Sequence, residues 1–147
     1  MQEGKGEVTV SATSNAGMVA DIQTEGQSFT IDESGLAEGV KKGPDPYDYI
    51  LSALGACTVI TLQMYAQRKQ WPLERAVVTL KHERTHAKDC ADCENEDTKL
   101  NQITKRLYLQ GDLTPAQQQR LKDISARCPV QKTLEAGIAI KTILETS

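Results

Sequence analysis

Between Glu7 and Gly35 apolar and polar positions alternate with a period of two in three runs, EVTVSAT, MVADIQT and SFTIDES. Side chains two residues apart share a face of a strand, so each run predicts a strand half covered by a core. Asn15-Ala16-Gly17, Glu25-Gly26-Gln27 and Glu33-Ser34-Gly35 break the pattern. Gly-containing breaks at that spacing predict an antiparallel meander. After the turn-rich stop Lys41-Lys42-Gly43-Pro44-Asp45-Pro46 the period changes to 3.6. Tyr47, Ile50, Leu51, Leu54, Thr58, Leu62 and Tyr65 then form one helical stripe. Asp45 is the expected N-cap and Pro46 the first helical residue, and Pro72 stops the helix near Gln70. Gly55-Ala56 lowers helix propensity mid-helix, which predicts a close approach by another backbone there.

A second alternation runs Ala76, Val78, Leu80, His82, Arg84, His86 and predicts a strand that ends in solvent. Residues 87–101 are polar and acidic and read as a loop. Ile103, Lys105, Leu107 and Leu109 predict the returning strand. Thr114 is the expected N-cap of a helix that starts at Pro115 and reaches Cys128. Pro129 opens a short helix closed by Gly137, and GIAIKTILE predicts a final strand. Trp71 is expected to pack the helix end, Met64 and Tyr65 to join the core, and Gln117 to Gln119 to form a solvated face. Strands, long helix, strands, helices and strand in that order predict an α+β fold in a single domain, residues 1–147.

Composition narrows the function. The 147 residues are 39% hydrophobic and 25% charged, as in an ordinary globular protein. Lys plus Arg number 17 against 20 Asp plus Glu, a net charge of −3. That mild acidity argues against nucleic acid as a partner, because phosphate contacts need a basic face. No apolar run approaches the roughly 20 residues of a membrane span, so no membrane association is expected. The opening MQEGKGEVTV lacks the pattern of a signal peptide. The expected location is cytoplasmic, a reducing compartment in which the four cysteines are buried apolar residues, metal ligands or redox groups.

Cys57 lies on or beside the apolar face of the long helix, where the plain reading is a small buried hydrophobe. Cys128 directly precedes Pro129, so its thiol faces the unpaired N–H groups of a helix start, which favour a thiolate. Arg127 beside it adds positive charge; the plain reading is an N-cap turn. His82, His86, Cys90 and Cys93 have the spacing H-x3-H-x3-C-x2-C, and two thiolates with one or two imidazoles satisfy tetrahedral zinc. A reversible dithiol, or a solvated loop with incidental cysteines, fits the same residues, and the neighbouring Glu94 and Glu96 fit either a metal surround or plain solubility. No Gly-rich phosphate loop and no Ser-His-Asp arrangement is present in the sequence.

GPDPYDYILSALGACT, Gly43 to Thr58, resembles the first-cysteine helix of the OsmC/Ohr family, the osmotically induced and organic hydroperoxide resistance proteins. ARCPVQKTL, Ala126 to Leu134, resembles that family's second-cysteine segment, and the element order resembles it throughout the chain. HAKDCADCE looks like a branch-specific insertion. The resemblance implies an OsmC/Ohr-like fold in an intertwined homodimer and a thiol-dependent peroxidase serving oxidative-stress defence. Cys57 would attack a small organic hydroperoxide and become a sulfenic acid. Cys128 would condense with it to a disulfide, and a dithiol reductant would restore the pair, with no cofactor required. Peroxidase members carry a Glu ten residues before the first cysteine; Tyr47 stands there, with Asp48 beside it. They also carry an Arg in the N-terminal strands, whereas the first Arg here is Arg68. Another cation then has to support the thiolate, and Lys41, Lys42 or a basic residue of a partner subunit are the candidates. The alternatives are a metal-binding or redox-sensing protein built on His82, His86, Cys90 and Cys93, and a small-molecule binder without peroxidase activity.

Overall fold

The computed structural model describes residues 6–15, 17–33, 43–86 and 99–145. The chain divides into two compact units, residues 1–50 and 51–147. The first holds an antiparallel meander of β1 (Thr9–Ser11), β2 (Val19–Thr24) and β3 (Gln27–Asp32), in the expected order. Ile22 is its buried centre, paired with Val10 on one side and Phe29 on the other. Gly26, at φ 80°, supplies the left-handed residue of the β2–β3 turn. Gly43 passes so close to β3 that a Cβ there would run into the Thr30 carbonyl. Tyr49 stacks on Phe29 at 5.2 Å between ring centroids and donates its hydroxyl to Thr30 O at 3.1 Å.

The long helix α1 (Pro46–Lys69) starts in this unit with a reciprocal cap. Asp48 N donates to Asp45 Oδ1 at 2.9 Å, and Asp45 N to Asp48 Oδ2 at 3.0 Å. At its far end Gln70 takes φ 58°, Trp71 N donates to Ala66 O and Gln70 N to Gln67 O. These are the two bonds of a Schellman stop, with Gln where Gly is usual.

In the second unit α1 covers one face of a long hairpin, β4 (Arg75–His86) paired with β5 (Lys99–Gln110). Ala76, Val78 and Leu80 stand opposite Leu109, Leu107 and Lys105, so all six share one face. Leu62, Tyr65, Ala66, Leu73, Leu113, Leu121 and Ile124 form the core, with Trp71, Ala76, Leu107 and Leu109 packed around it. Gly55 admits the hairpin: a Cβ there would lie 2.8 Å from Leu80 Cδ1. The close approach anticipated at this glycine comes from strand side chains. Helix α2 (Pro115–Ser125) begins with a Thr114/Gln117 capping box, and α3 (Pro129–Ala136) closes with Gly137.

Several expectations are corrected. Residues 137–145 form no strand, and Ile138, Ile140, Ile143 and Leu144 are exposed. An apolar alternation is not enough without a neighbouring edge to take up its backbone groups. Strand β5 begins at Lys99 because the register with β4 continues to His86. Helix α2 ends at Ser125 because Pro129 pushes Cys128 into an extended conformation, ψ 140°. Tyr47, Ile50 and Met64, expected in the apolar stripe or core, are exposed. Gln117 is half-buried in its capping box, not part of a solvated face. Helix α1 is long and apolar enough, by length and composition alone, to cross a membrane, which the sequence pattern did not anticipate. Leu54, Gly55, Cys57, Thr58, Leu62, Tyr65 and Ala66 nevertheless bury one of its faces.

Truncating the fully buried Leu62 to Ala should cost about 2–5 kcal/mol of unfolding free energy. Gln70→Gly should raise it by up to about 1 kcal/mol, because Gly adopts the left-handed conformation without a Cβ clash. Urea denaturation of the two variants should therefore show midpoint shifts of opposite sign.

Candidate active site

The middle of α1 meets the start of α3. Cys57 follows Leu54 by three residues on the buried face of the helix, and Leu54, Cys57 and Cys128 form one cluster packed by Leu80, Ile103 and Val130. Cys57 is 4% exposed and Cys128 0%. Both are free thiols, and their side chains are hydrogen-bonded to each other. Burial pushes the Cys57 thiol above its ordinary value, and the neighbouring Cys128 sulfur pushes the same way. Hydrogen bonds from the Val130 backbone and the Thr61 side chain pull it back in part.

Cys128 is the N-cap of α3, and its Sγ accepts the Gln131 N–H at 3.4 Å. The helix exists because Pro129 fits its first position and needs no N–H partner there. The same proline turns Cys128 out of the preceding helix, so sequence places this thiol at a helix start and the fold brings it against Cys57.

Lys105 completes the site. It points to the same face of β5 as Ile103, Leu107 and Leu109, an ammonium in an apolar row. Its Nζ donates to Thr58 Oγ1 at 3.1 Å and to Ser125 O, in the last residue of α2, at 3.0 Å. A cation is favoured at the carbonyl end of a helix. Thr58 Oγ1 donates to Leu54 O at 2.8 Å and lies 3.8 Å from Cys128 Sγ. Burial pushes the Lys105 ammonium below its usual value, while negative charge on Cys128, then Cys57, then Glu135 would raise it. A groove of about 750 Å3 between β5 and α2 reaches Lys105 and Ser125 and is lined by neither cysteine.

Among the residues nominated from sequence, Cys57 and Cys128 come together. Arg127 is exposed and its backbone N–H closes the turn after α2 on Ile124 O. Tyr47 is exposed, and Asp48 serves the cap of α1. Lys41, Lys42, Cys90 and Cys93 lie outside the described residues, as does the His86 side chain. The His82 ring pairs with Asn101 Oδ1 across the hairpin at 3.0 Å. Among the described residues no three potential metal ligands cluster. Lys105, Thr58 and Ser125 were not nominated. The signal for Lys105 was present, since it stands where the alternation calls for an apolar residue.

A thiol whose pKa is raised in the folded protein keeps its proton to higher pH than in the unfolded chain. Its contribution to stability is present below the ordinary thiol value, about 8.5, and is lost as pH rises through the raised folded value. Thermal unfolding across that alkaline range should therefore show a fall in Tm that is shallower in Cys57→Ser. An equally steep fall in the variant would contradict the assignment.

The OsmC-like protein family model matches residues 39–143, which include both cysteines. Solved structures agree in fold. An OsmC-like protein from Mycoplasma pneumoniae superposes with a TM-score of 0.71 at 17% identity, covering 91% of this chain and 89% of that one. An organic hydroperoxide resistance protein OsmC from Legionella pneumophila gives 0.61 at 14% identity, covering 90% of each chain. The organic hydroperoxide resistance protein OhrB of Bacillus subtilis gives 0.61 at 16%, covering 88% of this chain and 89% of that one. No curated protein matches the chain closely enough to count as a relative. With its α+β architecture and a family match that spans both cysteine segments, the chain belongs to the OsmC-like protein family.

Proposed function

We propose that this protein is a thiol-dependent peroxidase that reduces small organic hydroperoxides with Cys57 and Cys128. The observation that carries the reading is the burial of two free thiols, far apart in sequence, side by side in one apolar cluster. Two family relatives of the same fold are named organic hydroperoxide resistance proteins, which supports a peroxide-related role. Cys57 is assigned the attack because it stands in the segment that resembles the family's first-cysteine helix; both residues are buried.

The Cys57 thiolate attacks one peroxide oxygen, the O–O bond breaks, and the alkoxide leaves as an alcohol after taking a proton. Cys57 is now a sulfenic acid. The Cys128 sulfur attacks it, an S–S bond forms, and the oxygen leaves as water once protonated. A dithiol reductant then exchanges with the disulfide, returning two thiols and leaving as its own disulfide. No metal or organic cofactor enters these steps. Leu54, Leu80, Ile103 and Val130 around the thiols favour an organic over a fully hydrated peroxide.

An intertwined homodimer is part of this reading. Ile60 and Met64 on α1, and the apolar residues of segment 137–145, are exposed in the single chain and suit burial against a second copy. The cytoplasm, where dithiol reductants are available, is the proposed location, with neither nucleic acid nor membrane as partner.

Reduced, metal-stripped protein treated with one equivalent of cumene hydroperoxide should yield a Cys57–Cys128 disulfide by mass spectrometry. Cys57→Ser should lose turnover, whereas Cys128→Ser should stop at a dimedone-reactive sulfenic acid on Cys57. Oxidation confined to Cys90 and Cys93, or none, would refute the peroxidase reading.

A further inference from the structure

The groove between β5 and α2 has a volume of about 750 Å3 and is lined by neither cysteine. We propose that it binds a small organic anion, a carboxylate with an apolar body, whose head group pairs with Lys105 and Lys122. The proposal does not rest on the peroxidase reading. A space of that size is in the range of small-molecule sites, which combine an apolar lining with a few placed polar groups. Val78, Leu107 and Leu109, all half-buried, supply the apolar floor from the covered face of the hairpin. An apolar ligand body laid on them removes their remaining surface from water.

The charge in the groove is of one sign. Lys105 and Lys122 line it, and among the described residues no Asp or Glu does. Lys105 Nζ spends two of its three donors on neutral oxygens, Thr58 Oγ1 at 3.1 Å and Ser125 O at 3.0 Å. Burial pushes this ammonium below its usual value, which reflects the cost of holding a charge there without a counter-ion. The carboxylate that acts on it, Glu135, is exposed, held by Gln131 Nε2 at 3.4 Å and not part of the groove. The carbonyl end of α2 alone would repel an anion. Here the Ser125 carbonyl is taken up by Lys105, and the exposed Lys122 adds a second positive charge in the same last turn.

The two ends of the groove differ, and this fixes the shape of the ligand. Strand β5 and helix α2 run in opposite directions, so Lys105 meets Ser125 at one end while Leu109 and Pro115 stand at the other. Lys105 and Leu109 are about 13 Å apart along the strand. Lys122 and Pro115 are about 10 Å apart along the helix. The groove therefore suits an apolar body about 10 Å long with its carboxylate at the lysine end.

The probe is 4-phenylbutyrate, titrated into the reduced full chain and followed by calorimetry and 1H–15N NMR. It should bind once per chain and shift the amides of Leu107, Leu109, Gln118 and Lys122. 4-Phenylbutan-1-ol, the same body without the charge, should bind at least about tenfold more weakly. Lys105→Met should weaken the carboxylate about tenfold without changing the alcohol, and Lys105→Arg should retain it. Lys122→Met, at an exposed position, should cost about two- to fivefold. Equal affinity for acid and alcohol, or unchanged affinity in folded Lys105→Met and Lys122→Met, would overturn the proposal. If Lys105→Met fails to fold, the acid–alcohol difference and Lys122→Met decide. A groove filled by residues 137–145 of a second copy would give amide shifts in β5 and α2 on dilution and no response to 4-phenylbutyrate, which would equally overturn it.

Discussion

The contact of Cys57 with Cys128 is the constraint around which the second unit is arranged. It requires the middle of α1 to lie close to the hairpin, which Gly55 permits by admitting Leu80 where a Cβ would clash. It requires α2 to stop before Cys128, which Pro129 enforces. Beside the pair a polar ammonium is accommodated on an apolar sheet face. Lys105 meets that cost with a helix-end carbonyl and a threonine hydroxyl. Each of these is a local choice of residue, and together they bring two sulfurs from distant segments into one cluster.

Two thiols packed this way differ in what surrounds them. Cys57 sits mid-helix among apolar side chains, where burial favours the protonated form. Cys128 sits at a helix start with a backbone N–H on its sulfur and a hydroxyl bound to an ammonium nearby. A pair in which one member resists ionisation and the other is offered donors has an internal direction. That direction runs against attack from Cys57, whose ionisation relies on the hydrogen bonds from the Val130 backbone and the Thr61 side chain.

Much of this was legible in the sequence. Period-two runs located β2, β3 and β4, the 3.6 period located α1, and Asp45, Thr114 and Pro129 marked helix starts through capping chemistry that depends only on neighbours in the chain. The N-cap position of Cys128 was readable for the same reason. The C-terminal alternation failed because strand formation depends on a partner edge that no local pattern specifies. Met64 and Ile50 failed because α1 is apolar on more than one face, so periodicity alone cannot say which face is buried. Lys105 was overlooked although it breaks the apolar row Ile103, Leu107, Leu109. Its meaning depends on Thr58, 47 positions away in sequence, and on where α2 ends.

The central claim is that Cys57 and Cys128 form a single two-electron redox pair. The direct measurement is stoichiometry without reductant, in a full chain whose Cys90 and Cys93 are replaced by Ser. If the claim holds, each chain consumes one cumene hydroperoxide, releases one alcohol and loses two titratable thiols. Consumption that persists in the Cys57→Ser form, or two thiols that survive excess peroxide, would contradict it.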